Sequence, residues 1–250
     1  MRLTIFLTPL AAATLLAACS NNDNPISPPV GQLRVANAIS DSSNVQSSVE
    51  SITANDTIPF GQATGEHDLI DGNYLVHLTA NSTTLASHSF DANQVSIDKD
   101  HVTFLFAVGK MADGSENTFI VEAPDNDIHS DQSEAQFADV ASSQNSAVDV
   151  YVTAPGATLV GQTPVSGLSG MTFKSSTGQT IYAPGKYEIR VTPAGVPATI
   201  VFDTGPTGID FPPATTDLFT LIDHTGGGSA YSLLVIVGSD GSHLVENGSS

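Results

Sequence analysis

The chain has 250 residues, 26 Asp and Glu against 7 Lys and Arg, a net charge of −19, one cysteine and no tryptophan. That balance repels phosphate backbones and offers no basic stripe, which excludes nucleic acid as a partner. A single cysteine excludes an internal disulfide and a thiolate zinc cluster, while the length suffices for two domains that each bury a core.

The amino terminus carries the most specific signal. Met1 and Arg2 are followed by an apolar stretch from Leu3 to Leu16 and then by Ala17, Ala18 and Cys19. A run of about 14 residues is too short to cross ~30 Å of hydrocarbon as a helix, so it reads as a removable signal. Leu16, Ala17, Ala18 and Cys19 together resemble a bacterial lipobox. The resemblance implies cleavage before Cys19, lipidation of Cys19, and anchoring in the bacterial cell envelope. Each buried methylene contributes about 0.8 kcal/mol, so two or three acyl chains hold a domain at a membrane where one would not. Ser20 in the next position implies sorting to the outer membrane. The expected divisions are a lipoprotein signal peptide at 1–18, a lipidated tether at 19–32, a first β-sandwich at 33–127 and a second at 134–247.

From Ser20 to Gln32 the chain is polar and broken by Pro25, Pro28, Pro29 and Gly31. At ~3.1 Å per residue such a segment reaches up to about 40 Å from the lipid. Beyond it come short runs rich in Val, Ile, Thr, Phe and Tyr, punctuated by Gly, Pro, Asn and Asp, with no helical period. Tyr74, Val76 and Leu78 alternate with Leu75, His77 and Thr79. Tyr187, Ile189 and Val191 alternate more cleanly, which predicts a core-facing row and leaves Arg190 in water. Val102–Val108 and Leu233–Val237 are continuously apolar, as central strands covered on both faces should be.

An internal repeat runs through these strands. Ala38–Val49 aligns with Ala141–Val152 at an offset of 103, Asp71–Tyr74 with Pro184–Tyr187 at 113, and Phe90 and Asp91 with Phe202 and Asp203 at 112. The run Val102–Val108 aligns with Leu233–Val237 at 129, which makes Gly205–Gly228 a long surface loop of the second copy. The expected fold is all-β: two tandem β-sandwich domains, immunoglobulin-like or transthyretin-like, joined near Asp125 to Asp131.

Val148, Asp149, Val150, Tyr151 and Val152, then Pro184, Gly185, Lys186 and Tyr187, then Thr192, Pro193, Ala194 and Gly195, resemble the domain of unknown function 4397 family. Leu33–Ala38, followed by Ser40 and Asp41, resembles the opening of that family's domain. The resemblance spans about 200 residues in two copies and implies a β-sandwich without established chemistry. Two departures stand out: Ser142–Ser146 lacks the usual Ser-Pro-Asp-Ala loop, and Gln46, Ser47 and Ser48 have lost the Val-Asp-Val-Tyr character.

No catalytic constellation is expected. Asp203, Thr204 and Gly205 read like an aspartic-protease signature, but that chemistry needs two carboxylates sharing a proton. The repeat supplies Asp91 followed by Ala92 and Asn93, without the orienting Thr and Gly. No Gly-x-Ser-x-Gly elbow occurs, and Gly226–Gly228 is followed by neither Lys nor a helix start. The histidines at 67, 77, 88, 101, 129, 224 and 243 form no close ligand pair and are expected to face solvent. Asp125, Asp127 and Asp131, and Asp91, Asp98 and Asp100, form acidic groups that lack the glycine and closing glutamate of a calcium loop, so no metal or cofactor is assigned.

The expected function is a membrane-anchored envelope lipoprotein with a binding or structural role, its partner an envelope protein or a glycan. The scarcity of aromatic platforms weighs against sugar stacking. An acid hydrolase built on Asp203 is the alternative.

Overall fold

A computed structural model describes residues 28–50, 55–125, 128–165, 167–225, 229–238 and 241–248. The first sandwich has β1 (Val30–Asn37), β2 (Asn44–Val49), β3 (Asn55–Pro59), β4 (His67–Ile70), β5 (Gly72–Asn81), β6 (His88–Ile97), β7 (His101–Val108) and β8 (Asn117–Pro124). The second has β9 (Ser133–Asp139), β10 (Val148–Thr153), β11 (Ser175–Ser176), β12 (Thr180–Tyr182), β13 (Gly185–Pro193), β14 (Phe202–Asp203), β15 (Ile209–Phe211), β16 (Thr216–Asp223), β17 (Tyr231–Val237) and β18 (Gly241–Val245). The chain is all-β, as the alternating patterns predict; one 3-10 turn at Met111–Asp113 accompanies the strands.

Each sandwich pairs an inner and an outer sheet. In the first, the inner order is β4-β1-β7-β8 and the outer order β3-β2-β5-β6. In the second, β9, β16, β17 and β18 form the inner sheet with β11 and β12 on the edge of β9, while β10, β13, β14 and β15 form the outer one. β1 runs parallel to β7, and β9 runs parallel to β16.

Three apolar clusters explain the strand compositions. One fills the first sandwich, around Leu33, Val45, Val76 and Leu105. Another fills the second, around Phe137, Ile189, Phe219 and Leu233. The third lies between the inner sheets, where Phe104, Phe106, Val108 and Val121 meet Ala138, Leu218, Leu234 and Ile236. Strand β7 shows why its run from Phe104 to Val108 is unbroken: Leu105 and Ala107 enter the first core, while Phe104, Phe106 and Val108 enter the shared one. The molecule is therefore four sheets deep, outer-inner-inner-outer, and the two sandwiches run in the same direction with β1 and β9 starting at one end.

Pairing registers correct one alignment. The parallel partner of β1 is β7, and the parallel partner of β9 is β16, so Val102–Val108 corresponds to strand β16 rather than to Leu233–Val237. The stretch from Gly205 to Gly228 is accordingly no surface loop, since it holds β15 and the central strand β16. By the same registers Leu78 opposite Phe90 corresponds to Val191 opposite Phe202, and His77 opposite Asp91 to Arg190 opposite Asp203.

Candidate functional site

The strand pair β10 and β13 carries the residues that the sequence singles out. Tyr187, Ile189 and Val191 do face the core, with Ile189 and Val191 fully buried. Arg190 does not lie in water as the alternation predicts: it is 5% exposed. Its Nη2 donates to Thr153 Oγ1 at 2.6 Å, and its Nε lies 3.6 Å from Glu188 Oε1. Glu188 is buried beside it and accepts from the Gly156 N–H at 2.6 Å, so a loop after β10 closes over this outer face. Burial raises the Glu188 carboxyl, against the pull of the Gly156 N–H and of Arg190.

Asp149 organises the end of this sheet. Its Oδ1 accepts from Ser169 Oγ at 3.0 Å and from the Gly170 N–H at 2.8 Å, and its Oδ2 accepts from the Gly195 N–H at 2.8 Å. Burial works to raise its carboxyl, but these donors outweigh it and hold the group below the usual range. The Val-Asp-Val-Tyr strand and the Thr-Pro-Ala-Gly loop are thus joined by one carboxylate. Beyond that tie the loop 194–200 projects from the end of the sandwich, and Val196 and Ile200 are exposed. Tyr187 has a similar structural duty, donating from its hydroxyl to the Ala183 carbonyl at 2.9 Å; Tyr74 does the same to Ile70 at 2.7 Å.

Asp203 bonds its own turn, accepting from the Gly205 N–H at 2.6 Å. Asp91 lies on β6 with its Oδ1 2.8 Å from His77 Nδ1. These aspartates occupy the two outer sheets, with both inner sheets between them. At about 10 Å per packed sheet that places them roughly 30 Å apart, too far to share a proton.

Four histidines contact carboxylates rather than facing solvent alone. His67 meets Asp56, His77 meets Asp91, His88 meets Glu116 and His224 meets Glu246 at 2.6–2.8 Å. Ser232 Oγ also lies 3.0 Å from His224 and donates to Glu246 at 2.8 Å. This trio differs from a serine-hydrolase triad, because serine and carboxylate both meet the same Nδ1 instead of opposite ring nitrogens.

The acidic groups disperse. Asp98 accepts from Ser96, Asp100 pairs with Lys99, and Asp91 is with His77. No group of three metal-ligating side chains converges among the described residues. Asp127, Cys19 and the glycine run 226–228 lie outside the described residues.

Sequence reasoning missed the buried acids of the second core. Asp139 and Asp223 sit at one end of β9 and β16, where burial, with a further push from Asp223, lifts Asp139 to about 6 against the Ala141 N–H. Asp223 accepts from Ser142 Oγ at 2.8 Å and from the Ser143 N–H at 3.0 Å. At the other end of β16, burial lifts Asp217 to about 7. The signal was present as Asp217, Thr220 and Asp223 punctuating an otherwise apolar run.

Residues 31–151 match the family model described as Domain of unknown function (DUF4397). The matched segment contains the first sandwich from β1 and continues through β9 to Tyr151 in β10. It is shorter than the motifs suggest, and it leaves out Pro184–Gly195. No curated protein matches the chain.

Proposed function

With a DUF4397 domain in residues 31–151, the chain, we propose, is a lipid-anchored envelope protein that binds a partner through the loops at one end of a rigid double sandwich. The carrying observation is the polarity of the inner sheets. β1 enters at Val30, and the loops 38–43, 109–116, 140–147 and 194–200 lie at the far end, about 26 Å away for an eight-residue strand. A tether entering at Val30 would point those loops away from the lipid. Loops held on a rigid scaffold are the usual place for recognition. The shared core between the inner sheets makes both sandwiches present their loops as one surface.

Expression of the full chain in a diderm bacterium with an alkyne-tagged fatty acid tests the anchor, and crosslinking on intact membranes tests the loops. Label on the wild type, none on Cys19→Ser, and a crosslinked envelope partner lost in Val196→Asp/Ile200→Asp support the reading. An unlabelled soluble wild type overturns the anchor, and crosslinks indifferent to the loop variant overturn the binding surface. A peptidase activity lost in Asp203→Asn would favour the hydrolase instead.

A further inference from the structure

At the far end of the second sandwich, where β9 and β16 finish, two loops enclose a pocket of about 230 Å³. Ser142, Gln144, Asn145 and Ser146 line it from one loop, Thr172 and Phe173 from the other. Buried strand ends hold both walls. Asp223 accepts from Ser142 Oγ at 2.8 Å and from the Ser143 N–H at 3.0 Å, and the Asp139 carbonyl accepts from the Lys174 N–H at 2.8 Å. The Thr172 N–H donates to Ser175 Oγ at 3.0 Å. None of the lining side chains carries a charge, in a chain with 26 acidic residues. The side chains of Gln144, Asn145, Ser146 and Thr172 have no hydrogen-bond partner among the described residues. Phe173 is 37% exposed, the most exposed Phe or Tyr among the described residues. One face of its ring is backed by Lys174 Nζ, 5.7 Å from the centroid, and that ammonium donates to the Thr118 carbonyl at 3.1 Å.

We infer that this pocket binds one ring of a neutral oligosaccharide with equatorial hydroxyls, such as a β-linked chain of glucose or N-acetylglucosamine. A pyranose of that kind has flat C–H faces edged by hydroxyls. Its C–H face would lie on the exposed Phe173 ring, apolar surface against aromatic surface. Amide and hydroxyl side chains each offer a donor and an acceptor, and an uncharged hydroxyl needs both. A charged ligand would find no countercharge in the lining and would lose its hydration with nothing to replace it. At about 230 Å³ the pocket falls below the range of roughly 300–1,000 Å³ typical of drug-sized ligands, which suits a single ring of a chain that continues into solvent. The site gives a ligand class to the loop surface proposed above, and it rests on that reading for the direction in which the loops face.

The test titrates the full chain in detergent with tri-N-acetylchitotriose and cellotriose, read by calorimetry and by amide shifts. The corresponding trimers of glucosamine and glucuronic acid serve as cationic and anionic counterparts. Saturable binding of at least one neutral trimer, with a Kd of ~1 mM or tighter and shifts confined to 142–146 and 172–175, is expected. The charged trimers should bind about tenfold more weakly or worse. Phe173→Ala should weaken the neutral trimer by about tenfold and Phe173→Tyr should preserve it, both with the wild-type thermal midpoint because the ring is exposed. Asn145→Asp, which places a charge in the pocket, should weaken it as well. No saturable binding of either neutral trimer, equal binding of a charged trimer, or undiminished affinity in these folded variants overturns the inference. Where sugar binding fails while crosslinks are still lost in Val196→Asp/Ile200→Asp, the binding surface stands and this ligand class falls. Sugar binding abolished by Phe173→Ala supports the ligand class even where those crosslinks are indifferent.

Discussion

Arg34 on β1 and Gln136 on β9 occupy the same position in the two sandwiches, and each reaches across the seam to the other's backbone. Arg34 donates to Thr64 in its own sandwich and to Gly238 and Gly241 opposite. Gln136 donates to Thr177 in its own at 2.8 Å and to Glu122 opposite at 3.2 Å. The equivalence holds at the atoms around them: the Val35 N–H donates to Thr64 Oγ1 as the Phe137 N–H donates to Thr177 Oγ1. The inner sheets meet as the halves of a twofold dimer do, with one patch facing its own counterpart.

Arg34→Met should therefore cost more than Gln136→Met. Losing the guanidinium leaves buried carbonyls unpaired at about 1–3 kcal/mol each, so a loss of roughly 3 kcal/mol is expected against ~1–2 for the glutamine. Urea unfolding of the two variants side by side measures the difference.

Phe106 is fully buried in the shared core. Phe106→Ala should destabilise by about 3–5 kcal/mol. Because the lost contacts lie between the sandwiches, the denaturation curve should also broaden toward two transitions. A single sharp transition with an unchanged midpoint would show that the seam contributes little.

Asp149→Ala removes the acceptor of three hydrogen bonds and should cost roughly 2–3 kcal/mol. Its carboxyl is held below the unfolded value, so this stabilisation is present above pH ~4 and is lost as pH falls through the lower folded value. The gap between wild type and variant should therefore narrow on acidification, as measured by thermal melts across pH 2–6.

Asp217 has the opposite sign. Burial lifts it to about 7, so the folded state prefers the protonated form and loses stability as pH rises from ~4 to 7. Asp217→Asn should leave stability at pH 4 nearly unchanged and raise it at pH 8 by roughly 2–4 kcal/mol, on the scale of ~1.4 kcal/mol per pH interval. Calorimetric melts at the two pH values decide the matter.

Much of the fold was legible in the sequence because alternation reports directly on one-sided burial. The Tyr187, Ile189 and Val191 row is the clear case, and the unbroken run Val102–Val108 announced a strand covered on both faces. What covered the second face was not legible, since a continuous apolar strand is silent about its partner. Strand β16 was missed because the apolar run Val102–Val108 aligns in sequence with Leu233–Val237, while the β16 run is interrupted by Asp217, Thr220 and Asp223, all of them buried. Arg190 was misplaced because the loop that buries its face is joined to Glu188 through a backbone N–H, which leaves no side-chain pattern. The candidate site was visible only as motifs. That Asp149 meets Gly195 depends on a strand pairing across 46 positions.

Strand β8 forms the rim of its sheet, and its outward carbonyls are capped from the second sandwich. Lys174 Nζ donates to Thr118 at 3.1 Å, Gln136 to Glu122, and Gln179 Nε2 to Pro124 at 3.1 Å. A bare rim of this kind invites intermolecular strand addition. A proteolytic fragment ending near residue 125 would shed those caps together with the cover over Phe104 and Phe106, and such fragments should clump into β-rich deposits more readily than the intact polypeptide.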